Sequence, residues 1–69
     1  MVYILLAPGF EEAEALVPAD LLRRAGVPVS LAGVEGGTIT GAHGIPVTAD
    51  TAVEQVTLHP GEMLVLPGG

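Results

Sequence analysis

Cysteine is absent from these 69 residues, and so are lysine and tryptophan; one tyrosine and one phenylalanine are the only aromatic side chains. Without cysteine the chain can form no disulfide, no thiolate metal site and no cysteine nucleophile of its own. That counts at this size, because a domain of about 60 residues buries only about 60% of its unfolded surface and usually needs a staple. Positive charge is equally scarce: two arginines stand against eight acids, for a net charge of −6. Nucleic acid and anionic membrane surfaces are poor partners for such a chain, since both need cationic side chains. The opening MVYILL lacks a basic flank and is cut short by Pro8-Gly9, which argues against a secretion signal. No apolar run approaches the roughly 20 residues of a membrane span. The expectation is a soluble, cytoplasmic protein. Its two histidines and eight acids follow no metal-ligand spacing, so neither a metal nor a cofactor is expected.

What the chain does have is apolar patterning, with 49% hydrophobic residues. Val2 to Ala7 is continuously apolar, as in a strand buried on both faces of a parallel sheet. Residues 11–25 carry helical spacing, with Ala13, Val17, Leu21 and Ala25 at i+4 and Leu22 widening the stripe. Arg23 and Arg24 fall in the last turn, where cations suit the helix dipole, and Gly26 stands as the cap. Val27 to Ala32 reads as a second strand. Thr38-Ile39 and Ile45 to Thr48 read as a hairpin or β-arm around GAHG. Asp50 to Val56 reads as a short helical or irregular segment with Asp50 as N-cap. Met63 to Leu66 is another apolar strand, and Pro67-Gly68-Gly69 follow it. The order β-α-β-(β-β)-β predicts the opening half of an α/β domain, whose ligand site lies beyond the carboxyl ends of the strands. The last strand has no helix after it, so the remainder of the domain is expected to be missing or to come from a second chain.

Three glutamates fall within four positions of APGFEEAEA: Glu11, Glu12 and Glu14. Acids in a first helical turn stabilise it by about 0.3–1 kcal/mol each, and that alone accounts for most such residues. Helical spacing separates the three. Glu14 shares a face with Val17 and Leu21, taken as core positions, and so is expected to point inward and to need a partner. Glu12 shares a side with Leu16, Ala19 and Arg23 and is expected to face solvent. Glu11 lies one turn before Glu14, at the mouth. Asp20 can pair with Arg23 or Arg24. Pro18 removes the i+4 donor of the Glu14 carbonyl, which either kinks the helix or re-aims Glu14. The loop APGFEE is neither GxGxxG nor a P-loop, and its glutamates would repel phosphate. His43 and His59 read as exposed loop residues.

Three segments, APGFEEAEALVPADLLRRAG, VPVSLAG with GAHGIPVTAD, and MLVLPGG, together resemble the N-terminal part of the ThiJ/PfpI family, the superfamily of the parkinsonism-associated protein deglycase and the PfpI-type intracellular peptidases. The resemblance covers essentially the whole chain, in order. It implies a flavodoxin-like three-layer α/β/α sandwich, related to class I glutamine amidotransferases, of which this chain is the N-terminal portion with a β-arm. It also implies a site that joins an elbow cysteine, a glutamate of the first helix and oxyanion-holding N–H groups. That glutamate falls on Glu14, the oxyanion N–H on Gly69, and binding positions near the pocket mouth on Glu11 and Gly68. His43 falls where relatives carry a basic arm residue near a dimer interface. The cysteine lies beyond the PGG loop in relatives, so Glu14 has no thiol to tune within these residues. Two functions follow. One is a cysteine-dependent hydrolase or lyase acting on small carbonyl compounds, glycation adducts or peptides. The other is a homodimeric chaperone or oxidative-stress-response protein that uses the helix and arm as its dimer surface. A truncated chain without activity is the third alternative.

Overall fold

The computed structural model describes residues 1–69. Along the chain lie β1 (Val2–Leu6), α1 (Glu12–Arg24), β2 (Val29–Gly33), β3 (Thr38–Thr40), β4 (Pro46–Thr48), β5 (Thr51–Ala52), a 3₁₀ turn (Val53–Gln55) and β6 (Met63–Val65). The apolar run at the start becomes the interior strand its composition predicts. β1 is parallel to β2 on one side, with Ile4 opposite Leu31, and parallel to β6 on the other, with Ile4 opposite Val65. The four-stranded sheet has the order β5-β2-β1-β6. β3 and β4 form a separate antiparallel arm in which Ile39 faces Val47.

Because strand side chains alternate, Ile4, Leu6 and Leu31 share the face that meets α1, where they are buried with Phe10, Ala15, Ala19 and Ile39. Tyr3, Ser30 and Leu64 take the opposite face, over which no helix of this chain lies. These residues thus supply the sheet and one helical layer.

α1 corrects the expectation of which face is inward. Its buried residues are Glu12, Ala15 and Ala19, whereas Val17 and Leu21 remain 54% and 59% exposed. The helix carries two apolar stripes, and the one with the smaller side chains faces the sheet. Alanine lets the helix axis approach Ile4, Leu6 and Leu31 closely, which larger residues would prevent. Glu14, which does share the side of Val17 and Leu21, is consequently exposed rather than turned into the core.

The helix runs unbroken through Pro18. It ends as the sequence indicates: the Gly26 N–H donates to the Arg23 carbonyl and the Val27 N–H to the Leu22 carbonyl, a Schellman closure that Gly26 permits with φ +82°. Asp20 pairs with Arg24 at 2.8 Å. Arg23 turns instead to Asp50 at 2.7 Å, and the same Asp50 oxygen accepts the Leu31 N–H at 2.8 Å. Asp50 is therefore no helix cap. It ties the end of α1 to the edge of β2, and the short 3₁₀ turn begins after Ala52 with no side-chain cap.

Candidate active site

β1 and β6 are adjacent and parallel, so the loops after them leave the same edge of the sheet. One is Ala7 to Glu11, leading into α1; the other is Leu66 to Gly69. They are joined by two hydrogen bonds of opposite polarity. The Glu11 N–H donates to the Gly68 carbonyl at 2.6 Å, and the Gly68 N–H donates to Glu14 Oε1 at 2.8 Å. The first turn of the helix thus holds the PGG loop by both groups of one peptide residue. A Cβ at Gly69 would stand 2.5 Å from the Gly9 carbonyl oxygen, so that position suits only glycine, and one at Gly68 would stand 2.7 Å from Glu14 Oε1 and would push that side chain aside. The Gly69 N–H makes no hydrogen bond within the chain. Glu11 is the N-cap of α1, its Oε1 accepting the Ala13 N–H at 3.3 Å.

Glu12 is where the structure departs furthest from the sequence reading. It is 4% exposed, the one charged side chain in the interior. Its Oε2 accepts the His43 N–H at 2.8 Å and the Ile45 N–H at 3.3 Å, and its Oε1 meets His43 Nδ1 at 3.0 Å. The tip of the β3–β4 arm is thereby clasped to the start of the helix. Two backbone bonds reinforce the clasp, from the Gly9 N–H to the Thr40 carbonyl and from the Ala42 N–H to the Phe10 carbonyl. Burial pushes the Glu12 carboxyl up, but the His43 side chain and the donated N–H groups outweigh it and hold it at about 2. Glu12 and then Glu11 raise the His43 imidazole above its ordinary value. His43 is exposed, as expected for a loop histidine, yet it is not without a partner. No local signal in the sequence marks this pair, because its members lie 31 positions apart.

The ligand atoms of Glu11, Glu12 and His43 come within 4.8 Å of one another, although nothing in their spacing along the chain unites them. The Glu12 oxygens already accept hydrogen bonds from the arm, and this pairing accounts for the cluster without an ion. Glu14 stands apart from it, on the Gly68 side. The chain therefore presents an exposed carboxylate fixed beside two glycine amides at the carboxyl end of a parallel sheet. Such an arrangement can move a proton and stabilise a developing oxyanion. No helix is long and apolar enough to cross a membrane.

A parallel sheet with α1 on one face and a polar cluster at its carboxyl edge defines a flavodoxin-like α/β protein. The comparisons narrow this class. The model of the DJ-1/PfpI family matches residues 1–69, and the chain belongs to that family. It is 42% identical over 67 residues to the protein dj-1beta of Drosophila melanogaster, covering 96% of this chain and 36% of that one. A deglycase of Thermococcus kodakarensis is 41% identical over 68 residues, 99% of this chain and 41% of the relative. Among solved structures, a mutant of a DJ-1 superfamily protein from Salmonella typhimurium superposes with a TM-score of 0.88 at 44% identity, covering 99% of this chain and 37% of that one. The Drosophila DJ-1beta crystal structure gives a TM-score of 0.86 at 39% identity, again over 99% of this chain and 37% of that chain. The chain thus spans well under half the length of these relatives.

Proposed function

We propose that these residues supply the carboxylate and the oxyanion-holding half of a cysteine-dependent active site. The substrates would be small carbonyl compounds, their glycation adducts or peptides. One observation carries this reading: Glu14 is held at 2.8 Å by the Gly68 N–H, at the sheet edge where α/β proteins bind ligands. Glu14 exchanges a proton with a thiol or with the substrate. Gly69 offers its unpaired N–H to the oxyanion, and Glu11 and Gly68 border the mouth. The deglycase names of several relatives and the cysteine-to-alanine replacement in the solved Salmonella protein agree with thiol chemistry. The thiol itself comes from outside residues 1–69, from the same chain or from a second one.

The test is turnover of methylglyoxal by the product of the whole reading frame. Glu14→Gln is expected to lower kcat by about 10²-fold or more, in the range of a lost general acid-base group. A Glu14→Gln variant as fast as the parent would sink the proposal. Sequencing beyond Gly69 for a cysteine on a strand-to-helix elbow is the cheaper check.

A second reading rests on α1. Val17 and Leu21 leave an apolar stripe one turn long on its solvent side, which suits a homodimer interface in a chaperone or oxidative-stress-response protein. Sedimentation of the whole product checks it: a monomer at micromolar concentration counts against it.

A further inference from the structure

We infer that the two glycine amides of the PGG loop divide the work: Gly68 is a positioning residue for Glu14, and Gly69 alone faces the substrate oxygen. This rests on the reading of Glu14 as the catalytic carboxylate. Glu14 is exposed, and an exposed glutamate ordinarily samples several rotamers. Here its Oε1 is fixed by the Gly68 N–H at 2.8 Å. Gly68 is itself held from behind, because its carbonyl accepts the Glu11 N–H at 2.6 Å. Donor and carboxylate are therefore anchored to the same helical turn. The Gly68 N–H is consequently occupied before any substrate arrives, whereas the Gly69 N–H has no partner in the chain.

The arrangement also distinguishes the two carboxyl oxygens. An N–H donor selects the oxygen without a proton, so Oε1 is the acceptor and the proton of the acid form resides on Oε2. Oε2 is the oxygen turned from the loop: a Cβ at Gly68 would lie 2.7 Å from Oε1 but 3.6 Å from Oε2. Glu14 thus takes and gives its proton at Oε2. The glycine is required for a separate reason from its backbone angle. Gly68 is not in the left-handed region, so alanine is allowed by the main chain, and what it meets is Glu14 Oε1 and, at 3.5 Å, Glu14 Cδ.

Gly68→Ala is therefore a substitution aimed at one carboxylate. In the product of the whole reading frame it is expected to lower kcat for methylglyoxal by about 10²-fold, the cost of misplacing a reacting group by roughly 1 Å, with KM little changed. Glu14→Gln removes the carboxylate that the added Cβ displaces. The Gly68→Ala/Glu14→Gln double variant is expected to be no slower than Glu14→Gln alone, because both changes act through the same carboxylate. A second readout does not depend on turnover. In ¹⁵N-labelled protein, Glu14→Gln is expected to shift the Gly68 amide proton resonance, because its acceptor changes from a carboxylate to a neutral amide. A Gly68→Ala variant with parental kcat, a double variant markedly slower than Glu14→Gln, or a Gly68 resonance indifferent to Glu14→Gln each overturns the proposal. Failure of the underlying reading looks different: the resonance follows Glu14, yet Glu14→Gln turns over methylglyoxal at the parental rate.

Discussion

Glu12 is bonded to the arm through both of its oxygens: two N–H groups at Oε2 and one imidazole nitrogen at Oε1. The closest neighbour of this clasp is Gly41, where a Cβ would come 2.5 Å from Glu12 Cγ and Oε2. Glu12 is buried and bonded on both oxygens, so it cannot yield. In the product of the whole reading frame, Gly41→Ala is expected to destabilise the fold by about 1–3 kcal/mol through overpacking, read as a lowered denaturant midpoint with an unchanged slope. The clasp also has a pH window. The Glu12 carboxyl is held at about 2 against an ordinary 4.5, so its contribution is complete above 4.5 and is lost as the pH falls toward 2. The His43 imidazole is raised, so its contribution is complete below its ordinary 6.5 and is lost as the pH rises through the raised value. Both are intact between 4.5 and 6.5. In the product of the whole reading frame, His43→Ala is accordingly expected to lower Tm more at about pH 5.5 than at about pH 9, and equal losses at the two pH values would contradict this coupling.

At the scale of elements, the helix decides which side chains are available to partners. Ala19 is 5% exposed against the sheet and Leu21 is 59% exposed away from it. Ala19→Leu is expected to cost about 1–3 kcal/mol, because added methylenes have no room there. Leu21→Ala is expected to change the stability of the fold by about 0.5 kcal/mol or less, and under the proposed homodimer reading its effect falls on self-association instead. Equilibrium unfolding and sedimentation of the two variants, made in the product of the whole reading frame, separate these outcomes. The same helix shows why some features were legible and others were not. Its extent, its Gly26 closure and the Asp20–Arg24 pair depend on neighbours within a few positions, so spacing reveals them. Its rotation about its own axis depends on side-chain size against the sheet. Two apolar stripes were present, and periodicity weighs Val17 and Leu21 above Ala15 and Ala19. The grouping of Glu14 with Val17 and Leu21 was right, but the direction of that face was not. The pairing of Glu12 with His43 and that of Arg23 with Asp50 join distant segments, and nothing local announces them.

At the scale of the whole molecule, eight large apolar side chains are exposed, among them Met63, Leu64 and Leu66 around the last strand. Residues 1–69 expressed alone are therefore expected to show no cooperative thermal transition by circular dichroism and no turnover of methylglyoxal above a Glu14→Gln control. A sharp melt would mean that one helical layer suffices to hold this sheet.

The strand order bears on synthesis as well. β1 is made first, yet one of its two flanks waits for β6, the last strand of the segment to leave the ribosome. Until then a nascent β1–α1–β2 unit offers an unpaired apolar flank to whatever chain is near, the situation that holdase chaperones relieve. Gly68 and Glu14 cannot meet before β6 has docked, so the site is assembled only once that flank has been closed.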